Sequence, residues 1–154
     1  MVTIGVISDT HLYRPSKELS RLVTDGPFSG VDMVFHSGDI VKLSVLDALA
    51  PKEVVAVAGN MDDHDVAVNL PDKRIVEVEG FLIGITHGRG PREGLEARVA
   101  AIFTGVSAIC YGHSHTPANH VKNGVLLFNP GSFSSGTVGI LTVDKKISGE
   151  IIQL

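Results

Sequence analysis

Short apolar strands that end abruptly in metal-binding side chains recur along the whole sequence. The first runs from Val2 to Ile7 and stops at Ser8, directly before Asp9 and His11. Residues two apart in an extended chain point to the same side, so this carboxylate and this imidazole can reach one point together. Four later strands stop in the same way, ahead of Asp39, Asn60, His87, and the pair His113 and His115. In open α/β sheets such strand ends meet at one edge, so we expect these side chains to converge.

The order of the elements predicts an α/β fold. Strands are predicted at 2–7, 33–35 and 54–58. Between them, apolar residues at helical spacing predict one helix after the N-cap Ser16 and another over 42–50. This alternation predicts parallel strands with right-handed crossovers. The second half predicts an antiparallel hairpin at 74–79 and 81–86, a helix from Pro91 to about 103, and a strand at 106–111. Short strands follow at 119–122, 125–129, 137–143 and 147–152. We expect a single domain over residues 1–154, with helices outside and two sheets inside.

Composition narrows the function classes. Hydrophobic residues make up 44% of the 154 residues and charged residues 19%, which is a globular balance. A net charge of -4 argues against general nucleic-acid binding, although bound cations can still attract a phosphate. The single cysteine, Cys110, lies in an apolar run and is expected to be buried and inert. No run approaches the roughly 20 apolar residues of a membrane span and no signal peptide is visible, so we expect a cytoplasmic protein.

The candidate ligands suit two adjacent metal ions. Two aspartates, four histidines and one asparagine exceed what one four-coordinate zinc site uses, and thiolates are absent. This nitrogen and oxygen set favours divalent manganese, iron, zinc, nickel or cobalt over calcium. Asp39 lies between the two groups along the chain and is the natural bridging carboxylate. Two divalent ions and two aspartates leave a net +2, so an acidic protein would carry a small cationic spot matched to phosphate.

The ordered set D-x-H, G-D, G-N, G-H and G-H-x-H resembles the calcineurin-like metallophosphoesterases. With the segment Asn129-Pro130-Gly131-Ser132 and the short chain, it is similar to their small bacterial and archaeal phosphodiesterase branch. The resemblance implies a four-layer α/β/β/α sandwich of two mixed sheets. It also implies that Asp9, His11, Asp39 and His115 hold one metal ion, and that Asp39, Asn60, His87 and His113 hold the other and carry the catalytic roles.

The activity implied by this resemblance is hydrolysis of small phosphodiesters by a metal-bridging hydroxide. The cofactors would be two divalent transition-metal ions, manganese first, with iron, nickel, zinc or cobalt as alternatives. One position departs from many larger relatives: Met61 follows the asparagine where they have a histidine credited with helping the leaving group depart. Methionine donates no useful proton, so we expect diesters with stabilised leaving groups to be favoured. His64, Asp62 or water could take over that role.

Several polar residues near the motifs have a functional and a structural interpretation. Arg14 and Arg89 follow ligand motifs and could contact phosphate together with Asn60, but exposed charge is an equal alternative. His36 follows an apolar strand three residues before Asp39, so it is a candidate for a hydrogen bond that supports a ligand. The Asn129–Ser132 segment is expected to be a structural turn.

Three alternatives remain open at the level of sequence, one of which is a metal site that serves only to stabilise the fold. A phosphomonoesterase or nuclease of the same family is the alternative within the enzyme class. A non-catalytic scaffold is the alternative outside it, because one subunit of the retromer sorting coat has this fold and an impaired metal site. Every ligand position is filled here, which favours an enzyme acting on a small phosphate ester. A sheet edge or the hairpin at 119–128 could pair subunits into a homo-oligomer.

Overall fold

A five-stranded mixed sheet contains the first ligand loops. In the computed structural model, which describes residues 1–154, this sheet comprises β1 (Val2–Ile7), β2 (Met33–His36), β3 (Glu53–Ala56), β9 (Thr137–Val143) and β10 (Ile147–Gln153). Their order across the sheet is β10-β9-β1-β2-β3. β1, β2 and β3 are parallel, whereas β9 pairs antiparallel with both β1 and β10. The three parallel strands therefore direct their carboxyl ends to one edge.

A second five-stranded mixed sheet supplies the remaining ligand loops. It consists of β4 (Lys73–Val78), β5 (Phe81–Thr86), β6 (Ala108–Cys110), β7 (Ala118–Lys122) and β8 (Val125–Asn129). The order is β4-β5-β6-β8-β7, with β5, β6 and β8 parallel and the two edge strands antiparallel. The hairpin expected at 74–86 is confirmed as β4 and β5.

Short helices cover the outer faces of the sheets. They are α1 (Lys17–Thr24), α2 (His64–Asn69), α3 (Leu95–Ile102) and two 3-10 helices at Leu43–Leu49 and Phe133–Ser135. Ser16 caps α1 as expected, because its hydroxyl accepts the Leu19 N–H at 3.1 Å. The longest α-helices have eight residues, and none is long and apolar enough to cross a membrane.

Three helical predictions differ from the structure. The segment at 42–50 forms a 3-10 helix instead of a regular α-helix. The acidic segment at 62–65, for which the sequence pattern predicts no helix, enters α2 at His64, and the buried Val66 anchors that helix to the core. The helix expected from Pro91 begins only at Leu95, because Gly94 adopts a left-handed backbone conformation that interrupts a continuous helix.

Three apolar clusters fill the spaces between the layers. Side chains such as Val6, Phe35, Ile85 and Phe128 pack between the two sheets. A second cluster lies beneath α1, α2 and the first 3-10 helix, and a third lies between α3 and the second sheet. This arrangement confirms the predicted four-layer α/β/β/α sandwich of two mixed sheets. Cys110 is buried in the inter-sheet cluster, and burial raises the pKa of its thiol, as expected for an inert cysteine.

Candidate metal centre

Loops from both sheets meet at the carboxyl ends of the parallel strands. The Asp9 N–H donates to the Gly38 carbonyl at 3.0 Å, which joins the loops after β1 and β2. The Gly112 N–H donates to the His87 carbonyl at 3.1 Å, which joins the loops after β5 and β6. A continuous set of contacts, one of them through the backbone N–H of His113, connects all seven predicted ligands, which are Asp9, His11, Asp39, Asn60, His87, His113 and His115.

Asp9 is fully buried and uses its two oxygens differently. Its Oδ2 accepts the Ser8 hydroxyl at 2.6 Å and the His113 N–H at 3.2 Å. Its Oδ1 has no hydrogen-bond partner and faces His115 Nε2 at 3.1 Å and His11 Nε2 at 3.5 Å. One oxygen therefore fixes the side chain, and the other is presented to the histidines.

Asp39 follows the same pattern. Its Oδ1 accepts the Met61 N–H at 2.8 Å, while its Oδ2 lies 3.2 Å from His87 Nε2 and 3.6 Å from His11 Nε2. This free oxygen is thus close to one histidine from each sheet, a position suited to the bridging role predicted for Asp39. Asp9 Oδ1 also approaches His87 Nε2, at 3.8 Å, so both carboxylates lie between the two groups of histidines.

Backbone carbonyls define which nitrogen of two histidines carries the proton. His87 Nδ1–H donates to the Ser37 carbonyl at 2.7 Å, which leaves the lone pair of Nε2 facing the carboxylates. His113 Nε2–H donates to the Gly90 carbonyl at 2.7 Å, and its Nδ1 lies 3.1 Å from the side-chain amide of Asn60. Metal-binding histidines are commonly oriented by such a hydrogen bond from the other ring nitrogen.

The four histidines form two edge-to-face pairs. The ring centroids of His11 and His115 are 5.4 Å apart, and those of His87 and His113 are 5.2 Å apart. Two groups of three ligand atoms, each within 4.8 Å of one another, overlap in this cluster: Asp9 with His11 and His115, and Asp9 with Asp39 and His87. The division of the seven ligands between two metal ions, which the family resemblance implies, stays a prediction.

Unpaired buried atoms indicate that this donor set fits a cation. Asp9 Oδ1, His11 Nε2 and His87 Nε2 are all buried without a hydrogen-bond partner. Burying a polar atom without a partner is unfavourable by roughly 1–3 kcal/mol, and more for a charged group. Three such atoms around one point are explained by a divalent ion, which carboxylate and imidazole ligands suit.

The ligand loops have an uncommon backbone conformation. Positive φ angles between 51° and 71° occur at five predicted ligands, namely Asp9, His11, Asp39, His113 and His115. Val41, two residues after Asp39, also has a φ of 81°, which is rare for a β-branched residue. Such conformations cost of order 1–3 kcal/mol each and cluster at functional sites.

Burial and charge shift the protonation of the central pair in opposite directions. Burial alone would raise the pKa of Asp39. The contacts of its carboxylate with His87 and with the Met61 N–H outweigh burial and lower this pKa below its ordinary value. Burial alone would lower the pKa of His87, but contact with Asp39 and the charge of Asp9 outweigh burial and raise it. Without metal, His87 therefore retains its proton to a higher pH than an isolated histidine.

His36 supports the loops from behind the site. It is completely buried, its Nδ1 accepts the Gly38 N–H at 3.1 Å, and its Nε2–H donates to the Thr10 hydroxyl at 3.1 Å. Burial, with the nearby His87, lowers the pKa of His36 to about 3, so the ring is neutral. His36 thus contacts the chain neighbours of Asp9 and Asp39 and not their side chains.

The remaining sequence candidates lie around the rim. Arg14 is exposed, whereas Arg89 lines an open groove that adjoins the metal centre. The Met61 side chain is 58% exposed, and His64 is exposed at the start of α2. Both oxygens of Asp62 accept backbone N–H groups, those of Val41 and Gly59 at 2.6 Å each, so this carboxylate braces two loops.

Sequence reasoning missed the groups that orient the ligands. Ser8 donates to Asp9, and the carbonyls of Ser37 and Gly90 accept from His87 and His113. Ser8 adjoins a ligand, so its polarity at the end of a buried strand was an available signal. The two carbonyls have no signal in the sequence, because any residue can supply a carbonyl.

Comparison with known proteins identifies relatives over the full chain. Residues 2–146 match the family model described as a calcineurin-like phosphoesterase superfamily domain. A probable metallophosphoesterase of Methanocaldococcus jannaschii is 44% identical, over 98% of this chain and 81% of that protein. The solution structure of a Thermotoga maritima protein has a TM-score of 0.75 and 32% identity, with 100% of both chains covered. A structure described as a novel archaeal phosphodiesterase has a TM-score of 0.75 and 27% identity, covering 99% of this chain and 100% of that one.

We expect Gly59→Ala to weaken metal binding because a β-carbon at this position would overlap Asp39 Oδ1 and lie 3.0 Å from Asp39 Cγ. Displacement of the Asp39 carboxylate should lower the affinity for manganese at least about tenfold, which is the effect expected when a metal ligand loses its correct orientation. Calorimetric titration of the metal-free protein measures this change. Gly30→Ala is the matched control, since nothing lies within 4 Å of a β-carbon there. Equal manganese affinities for the two variants would contradict the arrangement.

Metal affinity should rise with pH through the neutral range. The pKa of His87 is raised in the metal-free protein, so a bound proton competes with the ion until the pH exceeds that value. For each proton displaced, affinity should fall about tenfold per pH unit below the pKa. Manganese titrations at pH 6 and pH 8 measure the change, and His120→Gln, which alters an exposed histidine outside the cluster, should keep the same profile. Affinity that is the same at both pH values would disprove this competition.

Proposed function

The chain belongs to the calcineurin-like phosphoesterase superfamily, and we propose that it is a divalent-metal-dependent phosphodiesterase acting on small phosphodiesters. The observation that carries this proposal is the cluster of unpaired buried atoms, Asp9 Oδ1, His11 Nε2 and His87 Nε2, beside Asp39. A surface that served only as a scaffold would not need these atoms to stay without partners. The archaeal phosphodiesterase of similar structure supports the same reaction class.

The ligand set divides between two ions in this proposal. One ion would be held by Asp9, His11, Asp39 and His115, and the other by Asp39, Asn60, His87 and His113, with manganese as the first candidate. The chemistry that two divalent ions supply at such a site is charge neutralisation of phosphate oxygens and a lowered pKa for water. The two histidine pairs support this division.

The protein's own residues prepare this chemistry by fixed orientation. Ser8 and the Met61 N–H each hold one oxygen of a carboxylate, so the other oxygen stays directed at the site. The Gly90 carbonyl holds the His113 ring in the tautomer whose Nδ1 faces Asn60. The Asn60 amide is then placed to orient a substrate phosphate. Such preorganisation removes reorganisation cost from the reaction itself.

The surroundings of Asn60 favour diesters with stable leaving groups. Met61 has no ionisable proton, and the Asp62 carboxylate is occupied by two backbone N–H groups. Neither of the two residues that follow Asn60 is therefore free to protonate an alkoxide as it departs. The metal centre is accessible from solvent, since the His115 side chain is 43% exposed, and a small ester could therefore reach it.

Removal of metal should abolish hydrolysis while the fold persists. We expect the chelated protein to lose activity on bis(p-nitrophenyl) phosphate and to regain it with manganese, while circular dichroism shows retained secondary structure. Asp39→Asn should lower the restored activity at least about 100-fold, the upper range for losing even an outer ligand contact. Asp144→Asn, in an exposed turn, is the matched control. Unfolding on chelation would indicate a structural metal, and inactivity with every metal would indicate a scaffold.

Substitution of Met61 should change which leaving groups the enzyme accepts. Met61→His places an imidazole next to Asn60, and general acid catalysis typically contributes about 10²–10⁴-fold. We expect turnover of alkyl phosphate esters to rise at least about tenfold relative to that of p-nitrophenyl esters, as measured by the ratio of kcat values. Met61→Gln, polar but not ionisable, should leave this ratio unchanged. A ratio that fails to rise in the histidine variant would refute the assigned cause of the preference.

A further inference from the structure

An open groove adjoins the metal centre. Its lining includes the predicted ligands Asn60 and His87 together with Asp72, Lys73 and Ile102, and its volume is about 840 Å³. Pockets of roughly 300–1,000 Å³ accommodate whole small-molecule ligands. The groove is therefore much larger than a phosphate group needs, and it is continuous with the site at which the phosphate would lie.

The walls of this groove combine apolar and cationic side chains. Pro71 and Ile102 are exposed and contribute apolar surface. Three cationic side chains and one acidic side chain complete the charged lining, and these are Lys73, Arg89, Arg98 and Asp72. The whole chain has a net charge of -4, so this excess of positive charge runs against the overall balance. We call this lining the cationic groove.

Arg98 is occupied in holding the loop that forms one wall. Its guanidinium donates to the carbonyls of Arg89 at 2.9 Å and Glu93 at 3.0 Å, and also to that of Pro91. The same loop includes Gly90, whose carbonyl accepts from His113. Arg98 therefore fixes the backbone of Arg89 beside the metal centre, while its own charge is satisfied by carbonyl groups.

Lys73 and Arg89 keep charge available for a ligand. The Arg89 side chain is 80% exposed, and its ion pair with the similarly exposed Asp72 is long, at 3.9 Å. Such an exposed ion pair contributes little to stability. Lys73 is exposed, and its one hydrogen bond, to the Ile102 carbonyl, is long at 3.5 Å. An anionic group in the groove would gain charge-assisted hydrogen bonds from both side chains without breaking a strong existing pair.

We propose that the cationic groove binds the organic substituent of the substrate, and that Lys73 and Arg89 select phosphodiesters carrying a second negative charge. This inference rests on the proposed phosphodiesterase function. Nucleotides with an additional phosphate are the class that fits, because the apolar wall accepts the sugar and base while the two cations contact the second phosphate. A diester with uncharged substituents would gain only the apolar contact.

Binding measurements on the manganese-loaded protein test this selection without relying on turnover. Thymidine 3′,5′-bisphosphate should bind about tenfold more tightly than thymidine 5′-monophosphate at low salt, and the difference should shrink at high salt. In Lys73→Gln/Arg89→Gln the difference should fall to about twofold or less, as expected once both charge-assisted contacts are lost. Lys145→Gln, which removes an exposed cation in a distant turn, should keep the wild-type difference.

Kinetics with matched diesters separate this inference from the function it rests on. The p-nitrophenyl ester of thymidine 5′-phosphate, with and without a 3′-phosphate, keeps the leaving group constant, and the phosphorylated form should have the lower KM. Hydrolysis of both esters with equal KM values, or a preference that survives in the double variant, would overturn the cationic groove alone. Failure to hydrolyse either ester with any metal would instead overturn the proposed phosphodiesterase function.

Discussion

The close burial of two carboxylates among histidines is the interaction on which the rest of the structure depends. Asp9 is fully buried and Asp39 nearly so, and each keeps one oxygen free of protein donors. Like charges buried together are strongly unfavourable unless cations or donors compensate them. Glycines make room for the two carboxylates. A β-carbon at Gly59 would overlap Asp39, and one at Gly112 would lie 2.7 Å from Asp9 Oδ2. The structure thus gives up some stability to present a set of ligand atoms that suits divalent ions.

Two parallel arrangements of strands make this convergence possible. Strands β1 to β3 direct their ends to the edge of the first sheet, and β5 and β6 direct theirs to the adjoining edge of the second. The two sets of loops are joined by hydrogen bonds such as those from His87 Nδ1–H to the Ser37 carbonyl at 2.7 Å and from the His113 N–H to Asp9 Oδ2 at 3.2 Å. Left-handed backbone at Asp9 and Asp39 then turns each ligand back toward the shared centre.

The loop after β5 connects the metal centre with the surface that would contact the rest of the substrate. Gly90 orients His113 through its carbonyl, and Arg89 lines the groove beside it. Arg98 of α3 holds both through its hydrogen bonds to the loop backbone. The orientation of His113 and the wall of the cationic groove therefore depend on the same loop, and a substitution in this loop would affect both.

Much of this organisation follows from local sequence pattern. Apolar runs that stop at polar residues predicted the strands and all seven candidate ligands, and Ser16 predicted the start of α1, because periodicity and capping depend on neighbours in the chain. The family resemblance supplied the four-layer arrangement and the division of ligands between two ions. The short helix at His64 was missed, since its stability comes from the buried Val66 and not from a long apolar stripe.

Tertiary structure decided the features that depend on distant contacts. The free oxygen of Asp9 is defined partly by the N–H of His113, 104 residues away, and the tautomers of His87 and His113 are defined by carbonyls that any residue could provide. The cationic groove likewise combines side chains from 58 to 102 that no local motif connects. The sequence by itself determined which side chains end the strands. Only the folded backbone determined which of their atoms are left free, because that choice depends on neighbours brought together through space.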